Sequence, residues 1–462
     1  MRADTASFRD PAGQVFESEG EIFRAIFEPG VDDYRAAVED GIFEQLVKKQ
    51  LLISHQEVDS RFPEIPDAVV CLQHPRLPMV SYPWEWPFST LKRAALLHLR
   101  IMEYLVPRGY WLRDANAFNI QFQDGRFKLI DTLSIGRRDG DIPWVAYKQF
   151  CSQFLAPLVL AARSDIRLLN LWRGYLEGFP LDLTVELLPF HTRFNPRLYL
   201  HLYLHARMQL SSDSKDNLED AKPKSVRMSE TALLGLVRSL TKAVESLEYK
   251  PSSKIWEGYT EIRTYDDDGV KAKSRFVSET IENMQPKVVW DFGGNTGEFS
   301  EIAAKSGAFV VSIDSDPACT EYIQKRIAAR EMAGQILPLT MDLANPSPGL
   351  GFNQNERAGL RQRGPADLLL ALALIHHLVF SSSVPLGRVA QWFAQMTRFL
   401  IIEFVPESDP MVKKLLVNRG DDHLPYSLEV FRAAFTEHFD IEVEEGLNNG
   451  RSLFLMRNKA GL

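Results

Sequence analysis

Three glycines are crowded into the segment from Asp291 to Gly297, DFGGNTG, which follows an apolar strand pattern and opens a helix pattern. Because glycine lacks Cβ, such a turn can bend sharply and bring its backbone against a ligand, and the helix presents unpaired N–H groups. An aspartate ends each of the next two strand patterns. Asp314 is placed to accept hydrogen bonds from both hydroxyls of a ribose. Asp342 could accept a hydrogen bond from an adenine amino group, and Leu343 could cover the adenine ring. These residues predict a site for an adenosine-like ligand; a tight turn with strand-capping acids is the alternative.

The elements that position these residues alternate between strand and helix patterns from Lys287 onward. The strand patterns are VVWDF, AFVVSID, QILPLTMD, ADLLLALAL and FLIIEFV. A hairpin pattern follows, DIEVEEGLNNGRSLFLMR, whose Asn-Asn-Gly turn suits antiparallel strands at a sheet edge. We therefore predict an α/β fold with a seven-stranded, doubly wound, Rossmann-like sheet.

Over about Lys287 to Arg457 the chain resembles class I S-adenosylmethionine-dependent methyltransferases, through DFGGNTGEFS, IDSD and TMDL in the order and spacing of that family. Similar bacterial chains include nodulation-related methyltransferases. The resemblance implies S-adenosyl-L-methionine as cofactor, with Asp291 near the methionine ammonium, Asp314 on the ribose and Asp342 on the adenine. The cofactor-binding residues that it implies are Asp291, Gly293, Gly294, Asn295, Gly297, Asp314, Asp342 and Leu343.

Candidate catalytic residues follow the fourth and fifth strands. His376 and His377, in LIHHL, lie at the edge where open α/β sheets bind ligands, and an imidazole there could take a proton from an acceptor hydroxyl at neutral pH. The alternative is that one histidine bonds backbone while the other faces cofactor or solvent. Glu403 and the later Asp409 are expected to orient the acceptor. The Asn/Asp-Pro-Pro-Tyr/Phe tetrad of amino-methylating enzymes is missing here, which favours oxygen or carbon acceptors on a small or carrier-borne molecule.

Two further segments have residues suited to a substrate pocket. The stretch VNRGDDHLPY, from Val417 to Tyr426, interrupts the α/β rhythm with polar and ring-bearing side chains, as a substrate-facing loop or a solvated connection would. Upstream of the sheet, Tyr259, Tyr265 and Lys273 are expected to line a cofactor lid, and a surface turn is the alternative for the DDDG run between them.

The first half contains LRDANAFNIQF, then GRFKLID, after an amphipathic helix pattern over Leu91 to Val106. This spacing resembles the catalytic loop of protein-kinase-like phosphotransferases. The resemblance implies Asp114 as base, with Asn119 and Asp131 as magnesium ligands, and a hairpin pattern near residues 13–27 as the start of a small lobe.

Departures from that pattern favour a degenerate kinase-like domain used for recognition or as a scaffold. No GxGxxG loop is present, Arg24 stands nearest to the expected lysine, and Thr132-Leu133 replaces Phe-Gly. Losing the lysine and the phosphate loop removes the groups that hold the charge of ATP. A working phosphotransferase, or polar residues placed by accident around a hairpin, are the alternatives.

The composition of the chain limits which partners, metals and compartment we expect. The chain has 462 residues, 45% hydrophobic and 25% charged, and a formal net charge of −8, which disfavours nucleic acid as a partner. Three cysteines without a CxxC pair disfavour structural zinc, and no metal is expected. We expect a cytoplasmic protein without a membrane partner, while the oligomeric state is not set by the sequence. The predicted division is 1–210 (kinase-like), 211–230 (linker), 231–286 (helical lead-in and lid) and 287–462 (methyltransferase).

The function predicted is therefore methyl transfer from S-adenosylmethionine. A bifunctional protein with an active ATP-dependent phosphotransferase and a non-catalytic nucleoside-binding scaffold are the alternatives.

Overall fold

The computed structural model describes residues 1–59, 62–207, 227–251, 267–332, 334–417, 424–447 and 450–461. The chain divides into two compact units: unit 1 comprises Met1–Lys250 and Leu350–Arg357, and unit 2 comprises Pro251–Gly349 and Ala358–Leu462. The helix Glu230–Glu245 thus belongs to unit 1, whereas the sequence pattern grouped it with the lead-in to the second domain. Residues 211–226 of the predicted linker lie outside the described residues.

Unit 1 begins with a five-stranded antiparallel sheet in the order β1-β2-β3-β5-β4. Its strands are Arg2–Ala3 (β1), Gly13–Ser18 (β2), Glu21–Ile26 (β3), Gln56–Val58 (β4) and Val70–His74 (β5). The helices Glu28–Glu39 (α1) and Ile42–Lys48 (α2) lie between β3 and β4 in the chain. The hairpin expected near residues 13–27 is present as β2 and β3; the likeness of this unit to a kinase stays a prediction.

The rest of unit 1 is mainly helical, with two small antiparallel sheets. The pairs are Tyr110–Leu112 (β6) with Ile135–Arg137 (β9), and Ile120–Gln123 (β7) with Arg126–Leu129 (β8). The helices are Phe88–Leu105 (α3), Tyr147–Phe150 (α4), Ala156–Arg163 (α5), Leu181–Leu187 (α6), Pro196–Leu198 (α7) and Glu230–Glu245 (α8). The predicted helix over Leu91 to Val106 is α3, and Lys92 Nζ on it donates to the carbonyl oxygens of Glu245 (2.8 Å) and Leu247 (2.7 Å) at the end of α8.

Residues Leu350–Arg357 pack within unit 1 although unit 2 supplies the sequence on both sides of them. Arg9 donates through Nε (2.9 Å) and Nη2 (2.6 Å) to Glu356 Oε1. The guanidinium of Arg357 lies 4.2 Å from the ring centroid of Phe118. The chain therefore passes from one unit to the other three times.

Unit 2 contains a seven-stranded sheet in the order β12-β11-β10-β13-β14-β16-β15. Its strands are Val288–Phe292 (β10), Phe309–Asp314 (β11), Ile336–Thr340 (β12), Ala366–Ala371 (β13), Thr397–Phe404 (β14), Phe439–Gly446 (β15) and Ser452–Asn458 (β16). The first five are parallel, and β16 pairs antiparallel with β14 and β15. The predicted seven strands and the antiparallel hairpin are confirmed.

Helices cover both faces of this sheet. They are Asp267–Met284 (α9), Glu298–Lys305 (α10), Pro317–Ala328 (α11), Leu386–Ala394 (α12), Pro410–Leu416 (α13) and Leu428–Thr436 (α14). On one face α9, α10 and α11 pack on alternate strand residues such as Val289 and Leu368, and on the other Phe292 contacts Trp392 and Phe393 of α12. Because parallel strands end at the same edge, the residues after β10 to β14 are brought together there.

Among the described residues no helix combines the length and the apolar character needed to cross a membrane.

Candidate functional site

The glycine turn after β10 is held by the end of β11. The N–H groups of Gly293 and Gly294 both donate to the carbonyl oxygen of Ile313, at 2.8 and 3.0 Å. Gly293, Asn295 and Gly297 have positive φ angles of 75°, 47° and 80°, and α10 begins directly after Gly297. The N–H groups of Asn295 and Gly297 also donate within the protein, so four backbone donors of the turn are already used.

The need for glycine in this turn arises partly from packing. A Cβ on Gly294 would lie 2.2 Å from Ser312 Oγ, and a Cβ on Gly297 would lie 2.9 Å from Met332 Cε. At Gly293 the nearest atom to a Cβ, Leu374 Cδ1, is at the ordinary distance of 3.4 Å. The sequence pattern attributed the three glycines to sharp bending and close approach of a ligand. The structure adds that a Cβ on Gly294 would displace Ser312 and that Gly293 and Gly297 have positive φ angles.

Asp314 ends β11 and binds two backbone segments with its carboxylate. Oδ2 accepts from the N–H of Asn295 in the glycine turn at 2.9 Å, and Oδ1 accepts from the N–H of Asp316 at 2.8 Å. Burial raises the pKa of Asp314, while these backbone bonds favour its charged form. Each carboxylate oxygen has a second lone pair, so the group can fix the turn and still accept from two hydroxyls.

Asp291 is the buried acid of this site. It is 2% exposed, and its Oδ2 accepts from Ser300 Oγ at 2.6 Å. Burial raises the pKa of Asp291 to about 6, against the opposing effects of the Ser300 bond and the Lys273 charge. Ser312 Oγ, also buried, has no hydrogen-bond partner among the described residues. Asp291, Ser300 and Ser312 form a polar floor that a cationic or hydrogen-bonding group would satisfy.

Asp342 and Leu343 follow β12 at the same edge. Asp342 is exposed, and its Oδ1 accepts from the N–H of Ala344 at 2.8 Å. Leu343 is 8% exposed. An exposed carboxylate beside a mostly buried leucine has the character needed to contact the edge and the face of a nucleobase.

The two histidines occupy different environments. They follow Ala373, which has a positive φ of 51°, and their ring centroids are 4.3 Å apart. His376 is 3% exposed, and its Nδ1 has no hydrogen-bond partner among the described residues. Burial, with a smaller effect of the neighbouring His377, lowers the pKa of His376 to about 3; the pKa of His377 is also lowered. His376 is therefore neutral at physiological pH and too weak a base to retain a proton there.

Glu403 lies in a buried network of ion pairs. Its side chain is fully buried, and it accepts from Lys273 Nζ at 2.7 Å and from Arg451 Nη1 at 3.2 Å. Arg451 also donates to Asp409 Oδ2 through Nε (3.0 Å) and Nη2 (2.7 Å). The two acids expected to orient an acceptor are thus engaged by cations of the protein itself.

Sequence reasoning missed Arg451 and the role of Lys273. Arg451 reads as part of the hairpin turn before β16, and no periodic pattern marks it. Lys273 was expected to line a cofactor lid; it is 4% exposed, and its Nζ lies 4.8 Å from the ring centroid of Phe299. Only the pairing of their charges with Glu403 and Asp409 in three dimensions identifies them.

Several expected pocket residues have other surroundings or are not described. Tyr259 and Tyr265, and Asp421, Asp422 and His423 of the predicted substrate loop, lie outside the described residues. Tyr426, at the end of that loop, is buried, with ring centroids of Phe380 and Phe404 at 4.7 and 5.0 Å. Burial raises its pKa. Tyr426 therefore packs as a core residue.

In unit 1 the three predicted kinase-like residues do come together. Asn119 Nδ2 donates to Asp114 Oδ2 at 2.8 Å and to Asp131 Oδ2 at 3.3 Å. Gln149 Nε2 donates to Asp114 Oδ1 at 2.5 Å. Burial, together with the charge of Asp131, raises the pKa of Asp114 to about 6.

Arg24 on β3 adds a positive charge to this cluster. Its Nη1 forms an ion pair with Asp131 Oδ1, so a positive charge of the protein already occupies the acid expected to bind magnesium. Within the described ranges, no three His, Cys, Asp or Glu side chains are grouped so that they could hold a metal ion. The Arg24 ion pair reduces the negative charge that Asp131 offers to a metal cation, and the magnesium role of Asn119 and Asp131 stays a prediction.

The buried position of Asp291 gives a testable pH dependence of stability. A folded-state pKa of about 6 exceeds the ordinary value, so folding favours the protonated carboxyl and stability falls as pH rises between about 4 and 6. We expect Asp291→Asn to remove that fall and to raise the free energy of unfolding at pH 8 by roughly 1–3 kcal/mol. Urea titrations across this range measure it, with Asp440→Asn, an exposed acid, as control. Equal pH dependence in wild type and Asp291→Asn would contradict the assignment.

Several known proteins are similar to this chain in structure, at low scores. No family model matches the chain. Among solved structures it is similar to magnesium protoporphyrin IX methyltransferase of Synechocystis PCC 6803 with bound SAH (17% identity, 45% of this chain and 95% of that chain, TM-score 0.33) and to N-methyltransferase NodS of Bradyrhizobium japonicum WM9 (14% identity, 42% and 98%, TM-score 0.31). It is also similar to the bifunctional kinase-methyltransferase WbdD (17% identity, 42% and 40%, TM-score 0.30). Scores this low carry no inference about this chain.

A relative in sequence is much more similar. Nodulation protein NoeA of Rhizobium meliloti (strain 1021) is 35% identical over 436 residues, which cover 93% of this chain and 90% of NoeA. The similarity therefore extends through both units. The chain belongs to the same family as nodulation protein NoeA.

Proposed function

We propose that unit 2 binds S-adenosylmethionine and transfers its methyl group to a small or carrier-borne acceptor. The observation that carries this proposal is the carboxylate of Asp314. It is fixed by the N–H groups of Asn295 and Asp316 at the carboxyl edge of the sheet, and it retains acceptor capacity toward that edge. Such a group suits the two hydroxyls of a ribose.

The residues around Asp314 fit the rest of that cofactor. Asp291 is a buried acid whose charged form an ammonium group would stabilise, and Ser312 Oγ lies beside it. Asp342 would accept from the adenine amino group while Leu343 covers the ring. Bound here, S-adenosylmethionine would supply an activated methyl group on sulfur, so the protein has to align the acceptor and remove one proton.

We assign proton removal to His377 and a positioning role to His376. His377 is the more exposed of the two and lies beside the neutral ring of His376. As the acceptor oxygen takes the methyl group and the methyl–sulfur bond breaks to leave a neutral thioether, the hydroxyl proton would pass to the His377 imidazole. Oxygen and carbon remain the favoured acceptor atoms. Since NoeA is a nodulation protein, we propose that the acceptor belongs to that process.

The cofactor assignment is tested by calorimetric titration of the full chain with S-adenosylmethionine. We expect wild type to bind and Asp314→Asn to bind at least about tenfold more weakly, because one charged acceptor for the ribose is lost. Asp316→Asn is the matched control: it removes the same charge two residues away and keeps a side chain that can cap α11, as Asp316 does at 2.8 Å to the N–H of Ala318. Equal affinity of wild type and Asp314→Asn would reject the ribose contact.

The histidine roles are tested without knowing the acceptor. Because burial holds the pKa of His376 near 3, its ring resonance is expected not to shift between pH 5 and 9 in an NMR titration. The spectrum of His376→Gln identifies that resonance, and His377→Gln identifies the neighbouring one. A midpoint above pH 5 for His376 would overturn its assignment as a neutral positioning group.

We infer that unit 1 serves recognition or as a scaffold and does not transfer phosphoryl groups. The supporting observation is the ion pair of Arg24 with Asp131, which places a cation of the protein on the acid that magnesium would need.

Thermal unfolding of the full chain with magnesium and ATP tests this inference. We expect millimolar Mg²⁺-ATP to leave the Tm unchanged, whereas S-adenosylmethionine raises it, since only a ligand of the folded state stabilises. A magnesium-dependent rise in Tm that disappears in Asp131→Ala would instead establish an active nucleotide site.

A further inference from the structure

A patch of exposed apolar side chains lies on unit 1 between α6 and the end of the helical segment that follows α7. Phe190 and Phe194 are 67% and 75% exposed, and their ring centroids are 5.7 Å apart. The other exposed apolar residues of the same stretch are Leu187, Tyr199, Leu200 and Leu204. We call these six residues the aromatic patch. An exposed aromatic pair, with four further exposed apolar residues close to it in the sequence, indicates an interaction surface.

The patch has a positive charge in a chain that is acidic overall. From residue 187 to residue 207 the sequence has three arginines and no Asp or Glu, directly after the exposed Glu186, in a chain with a net charge of −8. Burial lowers the pKa of His201 and of His205, so the positive charge of this segment comes from the arginines. The guanidinium of Arg193 lies 5.1 Å from the Phe190 ring centroid and 5.6 Å from that of Tyr203. The side chains of Arg193 and Arg197 are exposed. These cations are therefore available to an anionic partner.

The residues beneath the patch hold it in place. Asn195 caps α7 by accepting from the N–H groups of Arg197 (3.1 Å) and Leu198 (3.2 Å). His201, fully buried, bonds Tyr147 through Nδ1 and Ser239 of α8 through Nε2, both at 2.8 Å. The exposed rings thus project from a fixed base.

We propose that the aromatic patch binds the surface of a membrane containing anionic lipids. Rings and leucines gain by leaving water at the boundary between headgroups and acyl chains, and arginines beside them gain from anionic headgroups. Such binding lies in the plane of the interface and needs no spanning helix. The sequence expectation of no membrane partner considered only spanning segments.

Two other occupants fit the patch less well. In a symmetric contact with a second copy of the chain, Arg193 and Arg197 would lie near their own counterparts, and the like charges would oppose association. A nucleic acid offers phosphates to the arginines but no apolar phase for the exposed leucines, so it matches only the charged part of the patch. This membrane-binding role is independent of the proposed methyl transfer, since it rests on unit 1 alone.

Flotation of the full chain with vesicles tests the proposal. We expect binding to phosphatidylcholine vesicles that contain phosphatidylglycerol, weak binding to pure phosphatidylcholine, and loss of binding at high salt. Phe190→Ser with Phe194→Ser should weaken binding by about tenfold or more. Arg193→Gln with Arg197→Gln should weaken it by roughly fivefold for each arginine removed.

The chain offers a matched control for the aromatic pair. Phe8 and Phe352, 53% and 70% exposed with ring centroids 6.0 Å apart, form a second exposed pair, and the arginine beside them, Arg9, is paired with Glu356. Phe8→Ser with Phe352→Ser should leave vesicle binding unchanged. Circular dichroism and Tm confirm that each variant folds.

Three results would overturn the proposal. They are equal vesicle binding by wild type and the Phe190/Phe194 variant, patch-dependent dimers in sedimentation velocity without vesicle binding, and patch-dependent RNA binding without vesicle binding.

Discussion

Two backbone segments converge on the carboxylate of Asp314, and the shape of the candidate site depends on that convergence. The N–H of Asn295 comes from the turn after β10, and that of Asp316 from the start of α11. With the carbonyl oxygen of Ile313, which accepts from Gly293 and Gly294, the end of β11 organises the neighbouring loop before any ligand binds. A site organised in this way loses little conformational entropy on binding, which is the advantage of preorganisation.

A second constraint lies on the other half of the same edge. The buried charges of Lys273, Glu403, Arg451 and Asp409 connect α9, the end of β14, the segment before β16 and the start of α13. Removing one member of a buried ion pair typically costs about 3–5 kcal/mol, because the partner charge stays in a poorly solvating environment. The network therefore ties the antiparallel hairpin to the parallel part of the sheet. His376 lies close to this network, but burial is the main cause of its lowered pKa.

The parts predicted from sequence are those that repeat or are local. The alternation of strand and helix patterns predicted the seven strands, and the Asn-Asn-Gly turn predicted the antiparallel edge. The resemblance to a kinase-like catalytic loop implied one site for Asp114, Asn119 and Asp131, and Asn119 does bond both acids, while their roles stay predictions.

What escaped prediction depends on contacts between distant residues. Arg451 and Lys273 are 178 positions apart in the printed sequence, yet both bind Glu403. Neither the pairing of Arg24 with Asp131 nor the burial of Tyr426 between two phenylalanines has a local signal. The difference between His376 and His377 likewise comes from burial, which adjacent positions in a sequence do not reveal.

The interleaving of the two units limits how the protein can be dissected. Cutting the chain after Lys250 would separate Leu350–Arg357 from Arg9 and Phe118, and would expose the charge of Glu356 and the stacked guanidinium of Arg357 to water. A fragment of the second unit would thus retain a segment that has lost its packing partners. The two units are consequently expected to be inherited and expressed as one polypeptide, and exchange of either unit between homologues would require matching residues in this short segment.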